Sequence, residues 1–270
     1  YSFCTLLQHN MAVGKNKRLS RGGKKGAKKK AVEVMLRKEW YDVVAPAIFK
    51  TRQFGKTICN KTIGEKLANT NLMGRVYEAN LADLKDDITN KDLSGYKLKF
   101  QVQKVAGRNL LTQFHSMELT TDKLRALFRK WCTTIETVVE AKTSDGYTLQ
   151  LFVICFTVKN KDQLSKNCYA NQHMVKWLRA RMTAMIQRKF AKLDITTAVR
   201  CMTDGSLAKK VEARVNPILP IRDLKIRRVK SIRMGDGKGL LEAHGKVPDT
   251  IEDQPRVVEQ AVEATEEKKE

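Results

Sequence analysis

The side chains best suited to nucleophilic attack or metal binding are few and widely spaced in this sequence. Its 4 histidines and 6 cysteines are His9, His115, His173 and His244, and Cys4, Cys59, Cys132, Cys155, Cys168 and Cys201. No two cysteines form a C-x-x-C pair, and no histidine lies at zinc-finger spacing from them. This pattern predicts reduced thiols in a cytosolic or nuclear protein, with no metal site and no disulfide framework.

Other catalytic templates also fail. Gly55-Lys56-Thr57 resembles the end of a phosphate-binding loop, but Lys50 stands where that loop requires its first glycine. A Ser–His–Asp or Cys–His site could be assembled from distant residues, yet no pair of residues here favours one. The sequence therefore predicts a protein that is not an enzyme and that uses no cofactor.

The strongest chemical signal is positive charge. The chain has 52 Lys and Arg against 29 Asp and Glu, a formal net charge of +23 and a pI near 9.9. Such an excess favours a polyanionic partner, which could be RNA, DNA or an anionic membrane surface. No run of about 18 apolar residues occurs, so no membrane-spanning segment is predicted.

Part of this charge is concentrated near the start of the chain. Residues 11–30 contain four glycines, no acid and nine basic residues, which are Lys15, Lys17, Arg18, Arg21, Lys24, Lys25, Lys28, Lys29 and Lys30. So few apolar residues cannot offset the entropy of ordering the backbone. We predict a flexible RNA-binding arm over residues 1–39; a merely solubilising tail is the alternative. Residues 1–10 precede Met11 and are interpreted as an upstream stretch or an extension.

A second basic segment lies near the other end of the chain. Leu224, Ile226, Val229 and Ile232 could anchor a strand there, while its cations project outward to RNA phosphates: Arg222, Lys225, Arg227, Arg228, Lys230 and Arg233. A solvated strand face is the alternative. Basic residues spread over several elements, without aromatic RNA-recognition motifs, are typical of proteins that bind folded RNA by shape and backbone.

The elements that must position these residues alternate between strands and helices. Apolar residues alternate over Tyr96–Val102, and Asp145-Gly146 predicts a hairpin turn between strands Ile135–Lys142 and Tyr147–Thr157. Helices are predicted from Thr121 through Trp131, over residues 171–190, and between Gly205 and Pro217. The mixture predicts an α+β core over residues 40–235. Residues 236–270 become acidic and are predicted to form a disordered tail.

Several long segments resemble one known family. They are Met11–Arg18, Gly22–Lys30, Lys38–Asp42, Ala45-Pro46, Gly55–Thr57, Leu72–Leu84, Leu111–His115, Leu119–Lys123, Thr143–Tyr147, Gly239–Leu241 and His244-Gly245. Leu72–Leu84 resembles the family signature L-x-G-R-V-x-E-x-S-L-x-D-L. With these segments the chain resembles the eukaryotic small-subunit ribosomal protein S-three-a family, also called e-S-one, from Met11 to Gly245.

The resemblance implies a fold, a location and partners. The expected fold is an antiparallel, barrel-like β core with packed helices, on the platform of the small ribosomal subunit near the messenger exit. The expected partners are small-subunit ribosomal RNA, neighbouring platform proteins, initiation factor three and messenger RNA, with no membrane. The expected location is the cytoplasmic ribosome, after nucleolar passage during assembly. Arg75, inside the signature segment, joins the predicted RNA-binding residues.

Two other functions stay open at this point. A free RNA-binding regulator would have the same charge but would not sediment quantitatively with small subunits. A nucleic-acid-modifying enzyme would show turnover on RNA.

Overall fold

The computed structural model describes residues 33–85, 93–235 and 244, so most of the predicted arm and tail lie outside the described residues. The chain forms two compact units, residues 1–38 and 39–270. In the first unit the described part includes one 3-10 turn, Val34–Arg37, with no buried residue. All further description concerns the second unit.

Within the described residues, the strands belong to a single eight-stranded sheet. In chain order they are β1 (Lys38–Val44), β2 (Gln53–Asn60), β3 (Val76–Asn80), β4 (Tyr96–Ala106), β5 (Asn109–Leu119), β6 (Thr134–Lys142), β7 (Thr148–Thr157) and β8 (Ile221–Arg233). The strand order is β2-β1-β5-β8-β7-β6, and β4 pairs with both β5 and β3.

Strand β5 organises this sheet because it has three partners. Antiparallel β4 covers one of its edges from Asn109 to Leu119. The other edge is shared: β1 pairs in parallel with residues 109–111, and β8 pairs antiparallel with residues 116–118. On this edge of β5 the sheet therefore continues as two branches, one through β1 and one through β8. The pairing of β1 with β5 is parallel.

The barrel-like closure expected of the core is not present. The strand order of the described residues ends at β2 and at β6, with β3 as a third end, so the sheet is open. The pairing at β5 explains this. Strands β1 and β8 pair with different parts of the same edge of β5, so the strands do not follow one another around a closed barrel. The α+β class itself is confirmed.

The strands predicted from periodicity are confirmed. Leu98, Phe100 and Val102 of β4 are buried, as their alternation indicated. Strands β6 and β7 pair from Thr134–Phe156 to Lys142–Thr148, and Gly146 adopts φ 82° in the turn between them. Glycine suits that turn because a side chain would strain a positive φ.

Six helices occur in the described residues: α1 (Ala68–Leu72), α2 (Leu81–Lys85), α3 (Thr121–Leu127), α4 (Gln172–Phe190), α5 (Ile195–Thr203) and α6 (Ser206–Val215). Leu178 and Met182 of α4, Val199 of α5 and Val211 of α6 belong to one core cluster with the inward side chains of β6, β7 and β8. Helices α4 and α6 confirm the predictions, whereas α5 was not predicted. No helix in the described part of the chain is long and apolar enough to cross a lipid bilayer.

Part of the opposite face of the sheet is covered by a smaller cluster under α3. Leu119, Leu127, Ile154 and Phe156 form this cluster. The helix predicted from Thr121 through Trp131 ends at Leu127, so its last turn was wrong. Phe128 leaves the helix in an extended conformation and packs edge-on against Phe156, at 5.4 Å between ring centroids.

Candidate nucleic-acid interface

Strand β8 presents opposite chemistry on its two sides. Leu224, Ile226 and Val229 are buried in the helix-covered core. The basic residues pair across β8 with the other side of β7, as Arg222–Phe156, Lys225–Ile154, Arg228–Phe152 and Lys230–Gln150. Lys99 of β4 pairs with Ser116 of β5, which in turn pairs with Lys230. We call the side that carries Lys99, Arg222, Lys225, Arg228 and Lys230 the cationic face.

Irregular register redirects side chains along β8. The pairing with β7 shifts at three points, and at each shift at least one β8 residue has no residue of β7 opposite it. These residues are Ile232, Arg227, and the pair Asp223–Leu224. A β-bulge of this kind bends the strand and changes where a side chain points. Ile232, predicted to anchor the strand, is 51% exposed, so that prediction was wrong.

Protein partners hold several of these cations in place. The Arg227 guanidinium lies 3.2 Å from Glu136 Oε1, and Arg228 Nε lies 3.9 Å from Glu118 Oε1. Arg222 lies over the Phe156 ring and Lys230 over the Phe152 ring, each 5.7 Å from the ring centroid. The Arg227 and Arg228 side chains are still 44% and 43% exposed. These cations are oriented by the sheet and remain accessible to a phosphate.

Lys99 was not among the predicted RNA-binding residues, although its outward position was predicted. Its Nζ lies 2.8 Å from Glu78 Oε1 and 3.4 Å from Glu118 Oε2. The hydrogen bond to Glu78 raises the pKa of Lys99 and lowers the pKa of the Glu78 carboxyl. Glu118 therefore bridges Lys99 and Arg228 across two neighbouring strands. Such a link depends on strand register, which the local sequence does not reveal.

Arg75 lies away from β8 and has structural partners. Its Nε donates to the Asn71 carbonyl, and its Nη1 donates to Thr57 Oγ1 and the Ile58 carbonyl, at 3.0–3.1 Å. These bonds tie the segment after α1 to β2. The structure thus does not bring Arg75 together with the β8 cations, and its predicted RNA contact stays a prediction.

The remaining predicted residues divide into two groups. Arg233 is exposed at the end of β8. The arm residues lie outside the described residues; these are Lys15, Lys17, Arg18, Arg21, Lys24, Lys25, Lys28, Lys29 and Lys30.

His244 is the one described residue of the predicted acidic tail, and it is fully buried. Its ring accepts a hydrogen bond from Arg52 Nη2 at Nδ1 (3.4 Å) and donates one from Nε2 to the Thr112 carbonyl (2.7 Å). Arg52 Nη2 also donates to the His244 carbonyl at 2.8 Å. Burial lowers the pKa of His244, Arg52 adds to that shift, and the Thr112 carbonyl opposes it. The arrangement holds a neutral imidazole against β5, at a residue the sequence assigned to a disordered tail.

Thiol chemistry has no support in the described residues. Burial raises the pKa of Cys155 to about 12, so this side chain is a neutral packing group at physiological pH. No group of three or more His, Cys, Asp and Glu side chains in the described ranges is arranged to hold a metal ion.

The chain is similar over most of its length to known ribosomal proteins. The Ribosomal S3Ae family matches residues 26–234. Small ribosomal subunit protein eS1B of Trypanosoma cruzi (strain CL Brener) is 59% identical over 257 residues, covering 94% of this chain and 97% of that protein. Small ribosomal subunit protein eS1 of Periplaneta americana is 47% identical (87% and 90% covered), and that of Anopheles gambiae is 46% identical (87% and 88% covered). The chain belongs to the ribosomal S3Ae family.

Proposed function

We propose that this chain is a structural constituent of the small ribosomal subunit that binds small-subunit ribosomal RNA. The observation that carries the proposal is the 59% identity, over 94% of the chain, to a protein named small ribosomal subunit protein eS1B. Because the family is one of ribosomal structural components, the prediction that the chain is not an enzyme is confirmed. The net charge of +23 supports an RNA partner.

The cationic face supplies the chemistry for that partner. Arg228 and Lys99 share the Glu118 carboxylate, and Arg227 is held by Glu136, so the cations are partly ordered before RNA arrives. Ordering long side chains in advance lowers the entropy cost of binding. An RNA phosphate then adds contacts to exposed guanidinium and ammonium groups. Such contacts position a folded RNA without reading its sequence.

The arm would also bind RNA phosphates, but along the sugar–phosphate chain between RNA helices. Its nine basic residues and its glycines suit a segment that follows the sugar–phosphate chain between RNA helices. In this proposal the arm, Lys15–Lys30, becomes ordered only against ribosomal RNA. The core would dock by its cationic face, and the arm would hold it in the assembled subunit.

The proposed position follows from the resemblance. We place the chain on the platform of the small subunit near the messenger exit, beside the 3′ end of the ribosomal RNA and neighbouring platform proteins. Initiation factor three and messenger RNA are the proposed transient partners there. Nucleolar passage during assembly, followed by work in cytoplasmic ribosomes, completes the proposal.

Sedimentation tests the proposal. The tagged full chain is expressed in cells, and its distribution is measured across a sucrose gradient after a high-salt wash. We expect one copy per small subunit, with little protein at the top of the gradient. Protein that remains at the top, or that washes off the subunit, would indicate a free RNA-binding regulator instead.

Deleting residues 11–30 distinguishes the role proposed for the arm from the role proposed for the core. The deletion is expected to leave the melting temperature of the purified protein nearly unchanged and to reduce incorporation into small subunits. A melting temperature lowered by many degrees would show that the arm belongs to the core. Unchanged incorporation would show that the arm is a solubilising tail.

A further inference from the structure

Three exposed aromatic side chains lie on two neighbouring loops outside the cationic face. Phe128 and Trp131 are each 48% exposed and follow α3, and Tyr169 is 64% exposed and precedes α4. Lys166 and the adjacent residues Arg129 and Lys130 are exposed on the same loops. We call these six residues the aromatic shelf. None of them was among the predicted RNA-binding residues.

Hydrogen bonds join the two loops. The Cys168 amide donates to the Trp131 carbonyl at 2.8 Å, and the backbones of Cys132 and Cys168, whose thiols are free, pair as an isolated β-bridge between the loops. The Ala170 amide donates to Thr133 Oγ1 at 3.0 Å. Phe128 packs against Phe156 of β7. The backbone of both loops is therefore tied together, and the Phe128 ring is anchored to the sheet before a ligand arrives.

The backbone at Trp131 is strained. Its φ is 66°, in the left-handed region that bulky residues rarely adopt. A glycine would adopt this conformation without strain. The tryptophan ring is half exposed, so burial in the core does not account for its presence there. Strained residues of this kind are concentrated at functional sites, where the side chain is needed in one position.

Positive charge lies beside the Trp131 ring and on the neighbouring residues of the same loops. Lys166 Nζ lies 5.8 Å from the centroid of the Trp131 ring. Among the described ion pairs, none involves Arg129, Lys130 or Lys166. Asp122 on α3 and Asp162 on the second loop are the acidic residues of these segments, and both are exposed. The shelf thus combines flat π surfaces with cations that are open to a phosphate.

We infer that the aromatic shelf binds unpaired nucleotides of an RNA strand, with bases stacked on Trp131 and Tyr169 and phosphates beside Arg129, Lys130 and Lys166. This inference rests on the proposed function only in taking RNA as the ligand. Stacking on aromatic rings requires bases that are splayed out of a helix, so the shelf would bind single strands and would ignore duplex. An apolar protein partner fits less well, because it would leave three cations at the rim without counter-charges.

Tryptophan fluorescence tests the inference. The chain has 3 tryptophans, and Trp40→Phe with Trp177→Phe leaves Trp131 as the sole one. Added oligouridine should quench its emission, whereas a duplex RNA of equal length should change it little at the same phosphate concentration. An emission that responds equally to both RNAs would overturn the inference.

Affinity measurements with the full chain complete the test. Trp131→Gly should weaken oligouridine binding about tenfold, because one stacking ring is lost. Glycine also relieves the positive φ, so the variant should melt no lower than the wild type. Trp131→Phe should retain most of the affinity. Trp177→Ala is the matched control, because Trp177 is 57% exposed on α4 and should not contribute.

The possible outcomes separate this inference from the proposed function. Equal loss in Trp131→Gly and Trp177→Ala would overturn the inference alone, while sedimentation with small subunits would still support the proposed function. Normal oligouridine binding by Trp131→Gly, with a neighbouring protein missing from its small subunits, would show that the shelf binds protein. Absence of binding to any RNA by the wild type would contradict both.

Discussion

The helix-covered face of the sheet and its cationic face are stabilised by different interactions, although β8 contributes to both. On the covered face Ile226 and Val229 pack with helix residues such as Leu178. On the cationic face Arg228 is held by a long ion pair and Lys230 by a ring. Burial of apolar area stabilises the fold, whereas exposed ion pairs contribute little. One strand therefore contributes to the stability of the protein on one side and to its proposed RNA-binding surface on the other.

The largest effect should come from the covered face. Leu178→Ala removes a fully buried side chain and should lower the free energy of unfolding by about 2–5 kcal/mol. Its neighbour Trp177 is 57% exposed, and Trp177→Ala should change that free energy by less than about 0.5 kcal/mol. Urea denaturation of both variants measures the difference. Equal effects would contradict the assignment of α4 as a core helix.

Removal of three cations from β8, two of them on the cationic face, should change RNA binding instead of stability. Arg228→Gln with Lys230→Gln and Arg233→Gln should reduce the slope of log affinity against log salt by about 2–3, since each phosphate contributes about 0.7–0.9. The matched control removes three exposed lysines from the helices, by Lys176→Gln, Lys209→Gln and Lys210→Gln. Titration of RNA at several salt concentrations compares the two triple variants. An equal change in both would show that only net charge matters.

His244 makes a buried polar contact, in contrast to the exposed ion pairs of the cationic face. Its pKa is lowered in the folded chain, so folding favours the neutral ring. The contribution of His244 to the free energy of unfolding is complete above the unfolded pKa of about 6.5. It is lost as pH falls below that value, at up to about 1.4 kcal/mol per pH unit. Thermal melts across this range should show a smaller pH dependence in His244→Gln. Because burial also lowers the pKa of His115, the dependence should decrease without disappearing.

The smallest effect should come from Glu118. Glu118→Gln removes the carboxylate that Lys99 and Arg228 share, and should change the free energy of unfolding by no more than about 1 kcal/mol. RNA affinity should rise, because loss of a competing anion outweighs loss of the ordering that Glu118 gives to Lys99 and Arg228. Glu140→Gln makes the same charge change where no ion pair is described. A larger gain in Glu140→Gln would contradict the role given to Glu118.

Local patterns predicted those elements whose structure depends on near neighbours. The alternation over Tyr96–Val102 and the Asp145-Gly146 turn are each patterns of a few consecutive residues. Strand β4 and the hairpin of β6 and β7 were accordingly predicted correctly. Helix α5 was missed because its Ile195, Thr196, Thr197 and Val199 disfavour helices in isolation. Burial of Ala198, Val199 and Met202 overrides that preference.

The site was predicted in part for the same reason. The cations of β8 were visible as a run of charge, and the strand that presents them was predicted. Their partners Glu118 and Glu136 lie about a hundred residues away in the chain, so the ion pairs depend on strand order. The positive φ of Trp131 likewise follows from how two loops meet, beyond the point where the helix predicted to reach Trp131 ends.

The position of β8 in the sheet has a consequence for synthesis of the chain. β8 is inserted between β5 and β7, yet of the strands in the described residues it is the last to leave the peptide tunnel. Until Ile221–Arg233 emerges, β5 and β7 each keep an open edge, and open edges invite pairing with other chains. The described sheet can be completed only after Arg233 has been made. A nascent chain halted before β8 is the form most exposed to aggregation and to chaperone capture.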